Sequence, residues 1–264
     1  MGLFMQSKLA QGLKLQLEPV AVIFTDKKPE GVFQLRSGDD EGFLEGGRGC
    51  AGLLMVAAAK GKTMVFDEDT CGCPGGIAGL CLGSIYDKES FPTDCLLSTG
   101  DEALAKTGKT SPFPMGRGER FFATPELADH WMSQFPSVKV PQKYVVFRPF
   151  SQLQPNEEPT LVYMFANADQ LSALVCMASF HRGGIPSVES PFGAACNSIV
   201  FAYHQIGKEY PKAILGYWDL FQRRVVSKDL LSFTVTYQMY QEMEGSVSNS
   251  CLNTDAWEKL ASRQ

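Results

Sequence analysis

The chain has 264 residues, 44% hydrophobic and 20% charged, with 25 Gly, 15 Pro and 18 Phe; that excludes fibrous and disordered classes and leaves one large globular domain or two closely packed halves. A formal net charge of −5 provides no basic surface to displace counterions from phosphates, so nucleic acid is not an expected partner. Eight cysteines against three histidines is the unusual feature.

Met1 to Ser7 has no basic region followed by an apolar run and a small-residue cleavage site, so no secretory signal is expected. Gly2 resembles a myristoylation start, but the required Ser or Thr falls one place late, at Ser7. The longest apolar stretch, around Cys50 to Ala59, is far shorter than the roughly 18 to 20 residues that cross a bilayer. A cytoplasmic protein without membrane contact is expected, its cysteines serving as thiols, metal ligands or core residues and not as disulfides.

Leu9, Leu13 and Leu15 give Gln6 to Gln16 a loose helical spacing that Pro19 ends, and Val20 to Phe24 is a continuous apolar run expected of a buried strand. Ser37 to Gly49 reads as a loop, whose Gly46-Gly47-Arg48-Gly49 is a hinge or an anion nest before a helix that opens at Cys50 and stops at Lys60-Gly61. Thr63 to Phe66 is a strand, Cys71-Gly72-Cys73-Pro74-Gly75-Gly76 an elbow, and the next helix starts near Ile77. Asp101 to Gly118 is a polar surface excursion. Phe121-Phe122-Ala123 reads as a strand, and Thr124-Pro125-Glu126 as the cap and first turn of a helix towards Met132. Tyr144 to Phe147 is a further strand, and the polar bridge Gln152 to Pro159 is the candidate boundary between halves 1–151 and 152–264.

After that bridge the order restarts: a strand over Leu161 to Phe165, a helix over Ala168 to Ser179, a turn at Gly183-Gly184, and a second elbow, Gly193-Ala194-Ala195-Cys196, opening a helix towards Ile206. A shift of 121 residues superimposes Leu53, Ala57, Glu68 and Gly72 on Leu174, Ala178, Glu189 and Gly193. The expected architecture is α+β, with two pseudo-repeated α/β halves packed around a central cleft into which both elbows open.

Cys71 and Cys73 present two soft ligands, and Gly72, Gly75 and Gly76, with Gly193 in the second elbow, leave the backbone free to approach a bound cofactor. The spacing matches neither the CxxC pairs of zinc ribbons nor the C-x2-C-x2-C run of ferredoxins. With Cys50 upstream, an iron-sulfur cluster or another thiolate-ligated metal held by Cys50, Cys71, Cys73 and Cys196 is one expectation. Cys196 at a helix start is exposed to the positive end of the dipole, which lowers a thiol pKa, and this makes it the candidate catalytic nucleophile of the alternative reading. Cys81 and Cys176, flanked by Leu and Val, are expected to be buried packing residues. His130 reads as a helix-surface or core residue, and Arg223-Arg224 as solvated charge.

Several of these segments together resemble a known family: Pro19-Val20-Ala21-Val22, Cys50 before a helix, Cys73-Pro74-Gly75-Gly76, Phe165-Ala166-Asn167-Ala168-Asp169-Gln170-Leu171, Phe192-Gly193-Ala194-Ala195-Cys196 and Asp229 to Val235. From about Leu13 to Trp257 the chain is similar to the DUF169 family. The resemblance implies a cytoplasmic protein common in anaerobic bacteria and archaea, with cysteines at the positions of Cys50, Cys73 and Cys196 and no assigned activity. Where the family often has proline after its late strand, this chain has Thr236.

The expected function is binding of a metal centre or iron-sulfur cluster in the inter-half cleft, with a redox or cofactor-handling role and a small-molecule or redox partner. The alternatives are a metal-free thiol-dependent enzyme or small-molecule binder using Cys196, and an interaction protein whose cysteines are inert.

Overall fold

The computed structural model describes residues 7–29, 43–44, 48–71, 73–85 and 91–263. Helix α1 (Lys8–Leu13) forms where the leucine spacing predicts, with the Ser7 side chain accepting from the Ala10 N–H as its cap. Strand β1 (Val20–Thr25) follows Pro19, and β2 (Phe43–Leu44) pairs with β3 (Arg48–Gly49); most of the expected glycine-rich loop, including Gly46-Gly47, lies outside the described residues. Helix α2 (Ala51–Ala59) stops before Gly61, which takes φ 95°. Strand β4 (Met64–Phe66) precedes α3 (Pro74–Gly79), which starts three residues before Ile77 because proline loses nothing at a first helical turn, where its missing N–H has no partner to lose.

β5 (Leu82–Gly83), α4 (Thr93–Leu97) and α5 (Asp101–Thr107) come next, so the polar excursion contains a helix. Phe121-Phe122-Ala123 is not a strand. The Phe121 and Phe122 N–H groups both donate to the Leu97 carbonyl, at 3.0 and 3.1 Å, and the segment is held as a bend on α4 with no sheet partner. Helix α6 (Pro125–Ser133) has the expected Thr124 cap; β6 (Val138–Lys139), which pairs with β5, and β7 (Tyr144–Pro149) complete the first half.

The second half runs β8 (Leu161–Ala166), α7 (Ala168–Ser179), β9 (Val188–Glu189), α8 (Asn197–Tyr203), β10 (Ala213–Gly216), α9 (Leu220–Arg223), β11 (Leu231–Thr236), α10 (Tyr237–Gly245), two 3-10 turns and α11 (Asp255–Ala261). Asn167 and Gln170 form a capping box at α7. Thr236 caps α10 by accepting from the Met239 N–H, which does by side chain what a proline would do by its fixed φ.

The architecture is mixed α/β around one seven-stranded sheet, in the order β4-β7-β1-β8-β11-β10-β9, antiparallel at every pairing except β9 with β10. The sheet crosses the 151/152 boundary without a break, since Val20, Ala21 and Val22 of β1 pair with Tyr163, Val162 and Leu161 of β8. The connecting bridge is tied down as well, with Glu157 paired to the buried Arg148 at 2.8 Å. Strand alternation sorts the core onto two faces. Val22, Tyr163 and Phe165 pack with α2, α3 and α8 on one face, while Ala21, Val162 and Met164 pack with α1, α7, α10 and α11 on the other. β8 is buried throughout, and each of its large side chains contributes about 1.5–3 kcal/mol.

The cysteine-bearing face also holds polar groups from β11. Thr234 is fully buried and its Oγ1 has no hydrogen-bond partner. Thr234→Val removes that unsatisfied hydroxyl at nearly constant shape, and is expected to leave stability unchanged or raise it by about 1 kcal/mol, read as an increase in the urea midpoint.

Candidate functional site

Three helix starts on one face of the sheet converge. Cys50 precedes α2, Cys73 precedes α3 with proline next, and Cys196 precedes α8; all three side chains line one cavity of about 130 Å³. The glycines of α3 make the convergence possible. A Cβ on Gly75 would stand 3.6 Å from the Cys73 Sγ, and the Cys196 Sγ lies 3.7 Å from the Gly75 carbonyl oxygen, so both sulfurs bear on one residue. On Gly76 a Cβ would meet the Cys71 Sγ at 2.7 Å, and on Gly79 it would meet the Cys196 Sγ at 2.9 Å. At Gly76 and Gly79 sulfur occupies the space a Cβ would need, whereas at Gly75 a Cβ would be in ordinary contact.

Among the expected site residues, Cys50, Cys73, Cys196, Gly75, Gly76 and Gly193 line the cavity. Cys71 is buried in the adjoining core and is not part of the lining. Gly72 lies outside the described residues. Gly193 leaves no ready space for a side chain: a Cβ there would stand 2.6 Å from the Asn197 Nδ2 and 3.1 Å from the Asn197 Cβ. Cys81 is buried as expected, whereas Cys176 is exposed, because the apolar Leu-Val context of α7 extends past the stripe that packs on the sheet.

Gln222 of α9 joins the second elbow to Cys50 at the start of α2. Its Oε1 accepts from the Ala195 N–H at 2.8 Å, and since a backbone N–H can only donate, the amide nitrogen is left facing Cys50, where it donates to Sγ at 2.9 Å. A Cβ on Gly52 would stand 2.5 Å from the Gln222 side chain, so Gly52 is the seat of this bridge. Tyr217, fully buried at φ 76°, donates its hydroxyl to the Gly52 carbonyl at 3.1 Å and fixes the turn that leads into α9. Asp219 caps α9 and also lines the cavity.

The opposite wall is aromatic: Phe121 and Phe192 meet at 5.0 Å between ring centroids, and Trp131 lies 6.1 Å from Phe192. Glu119 stands in this wall. Among the described residues, no Lys, Arg or His lines the cavity. His181 hydrogen-bonds Ser246 Oγ at 2.6 Å in a separate, more open cleft, where Arg182 is already paired with Glu242. His130 and His204 are exposed. Arg223 donates to the Leu230 and Lys228 carbonyls, and Arg224 lies over the Phe221 ring at 4.1 Å, so this pair is structural and not an anion site.

Burial dominates the electrostatics. It pushes the Cys73 thiol up to about 11, with the Cys50 sulfur adding to the rise. Cys196 is raised well above an ordinary thiol by burial first, then by Cys73, Cys50, Cys71 and Asp219, so desolvation outweighs whatever the short α8 contributes at its start. Cys50 is raised by burial against the lowering hydrogen bonds of Leu53 and Gln222. Burial thus favours the neutral form of all three thiols. Among the described residues, no three Cys, His, Asp or Glu side chains are grouped so as to hold a single metal ion.

Glu119 is lifted from its ordinary 4.5 to about 7, by desolvation first and then by Asp219. The native state thus holds more protons than the unfolded chain between those two values, so this group's contribution to stability falls as pH rises through that window. Glu119→Gln is expected to flatten the dependence and to stabilise the protein at pH 8 by about 1 kcal/mol, a value discounted because the side chain still meets solvent. Melting temperatures of both forms at pH 5 and pH 8 check it.

A family model, DUF169, described as "Uncharacterised ArCR", matches residues 8–246. No curated protein and no solved structure matches the chain. No helix among the described residues is long and apolar enough to cross a membrane.

Proposed function

The chain belongs to the DUF169 family, whose description carries no activity, and from its site we propose that it binds a compact, positively charged thiophilic centre, such as an iron-sulfur cluster, for a redox or cofactor-handling role. On this reading each half of the chain supplies one elbow, Cys73 from the first and Cys196 from the second, with Cys50 as the third ligand. One observation carries it: three thiols and two carboxyls face a single cavity whose described lining contains no cation. Ionised, these groups would repel one another; a soft cationic centre removes the repulsion and takes the thiol protons' place.

Two features narrow the class. The cavity, about 130 Å³, is well below the roughly 300 Å³ at which organic-ligand pockets begin. The described lining offers three thiols and no histidine, a donor set that suits an iron-sulfur centre better than a mixed Cys/His zinc site. Raised thiols and the distance of every described histidine from the cavity count against the metal-free nucleophile.

Anaerobic purification followed by a visible spectrum and by iron, zinc and acid-labile sulfide analysis tests the proposal. Bound metal at a constant ratio to protein, with thiolate-to-metal absorption, is the expected result. A colourless, metal-free protein that takes up neither iron and sulfide nor zinc overturns it.

A further inference from the structure

Two thiols on the far side of the sheet have no part in this cavity. Cys176 is exposed on α7, and Cys251 is half-buried in the 3-10 turn Cys251–Asn253 that packs against that helix. The Cys251 Sγ lies 3.8 Å from the Ala173 carbonyl, one helical turn before Cys176 on the same face of α7, and the Cys176 sulfur is near enough to raise the Cys251 thiol. Their surroundings belong to the core on the α7 side, opposite the face that holds Cys50, Cys73 and Cys196. Burial and the Cys176 sulfur raise the Cys251 thiol, whereas Cys176 is open to solvent, so the pair has one accessible sulfur and one sheltered sulfur behind it.

We infer that Cys176 and Cys251 form a reversible disulfide with a low-molecular-weight disulfide as oxidant, a modification site that fastens the C-terminal turn to α7. The Cys176 thiolate attacks the oxidant's S–S bond, giving a mixed disulfide at Cys176 and releasing one small thiolate, which takes up the proton Cys176 lost. Cys251, giving up its proton, then attacks the Cys176 sulfur, and the second small thiolate leaves and takes that proton. Two protein thiols are oxidised and one small disulfide is reduced to two thiols. The bond would tie α7 to the segment that carries α11, which is also held by the Trp257 indole N–H on the Gly12 carbonyl at 2.9 Å, by Lys14 on the Ala261 carbonyl at 3.0 Å and by Arg263 on Asp169 at 2.6 Å.

The full chain, metal-stripped and reduced, is incubated with oxidised glutathione, alkylated, and read by intact mass and non-reducing peptide mapping. The expected product has lost two hydrogens, about 2 Da, shows a peptide joining Cys176 to Cys251, and reverts with dithiothreitol. Cys251→Ser should stop at a stable glutathione adduct on Cys176, and Cys176→Ser should give no Cys251 crosslink; because Cys176 is exposed, that variant is not expected to disturb folding. A lasting adduct on Cys176 in the unsubstituted chain, a crosslink through other cysteines only, or no reaction overturns the inference.

Discussion

Gly118→Ala is expected to destabilise the protein by about 3–4 kcal/mol and to loosen the aromatic wall of the cysteine cavity. Gly118 has φ 65°, and a Cβ there would stand 2.4 Å from the Ser98 carbonyl and 2.5 Å from the Gly100 nitrogen, neither of which is a flexible side-chain end. Gly100, at φ 63°, faces it with the same restriction. Around this crossing the chain is zipped by backbone bonds from Glu119 to Leu96 at 2.7 Å, Arg120 to Ser98 at 3.0 Å and Phe121 to Leu97 at 3.0 Å. An added methyl must push these two backbones apart, and the segment that moves carries both Glu119 and Phe121. A lower melting temperature with faster alkylation of Cys73 in the folded variant is the expected pair of readings. Wild-type stability in Gly118→Ala would show that the crossing does not hold the wall.

The elements that could be read locally were those whose ends carry their own chemistry. Helix α7 appears over Ala168–Ser179 because Asn167 and Gln170 cap it and its apolar stripe has helical spacing. Cys50 and Cys196 were legible as candidates because each opens a helix beside small residues, and Cys73 because it stands with Cys71 in a Cys-Gly-Cys-Pro-Gly-Gly elbow. Their convergence was not legible, because it depends on sheet pairings such as Val22 with Leu161, which no local pattern encodes. Phe121-Phe122-Ala123 misled for a related reason: a short apolar run has the same periodicity whether a sheet or a neighbouring helix covers it, and here α4 supplies the hydrogen-bond partner. Cys176 misled because Leu and Val neighbours indicate burial only along a helix's packed stripe. Gln222 gave little signal, being one polar residue on a four-residue helix; the nearest hint was Gly52, a glycine inside an otherwise Ala/Leu/Met helix, which only the bridge to Gln222 explains.

That bridge sets the hierarchy expected in metal content. Cys73→Ala and Cys50→Ala each remove a proposed ligand and should strip the centre during anaerobic purification, abolishing the visible absorption. Gln222→Ala leaves every thiol in place but removes the donor that steadies the Cys50 sulfur and the acceptor that holds Ala195 beside Cys196, so it should weaken retention by about 10–100-fold without abolishing it. The pH dependence has a definite sign. The proposed ligands favour the protonated form at pH 7, with Cys73 pushed up to about 11, and each would have to release a proton to bind, so affinity should rise steeply between pH 6 and pH 9 and any bound centre should be lost on acidification. Cys176→Ser, on the other face, should retain the metal in full. Equal metal content in Cys73→Ala and the unsubstituted protein, with both folded by circular dichroism, would place any bound metal elsewhere and leave the cavity's three thiols as packing.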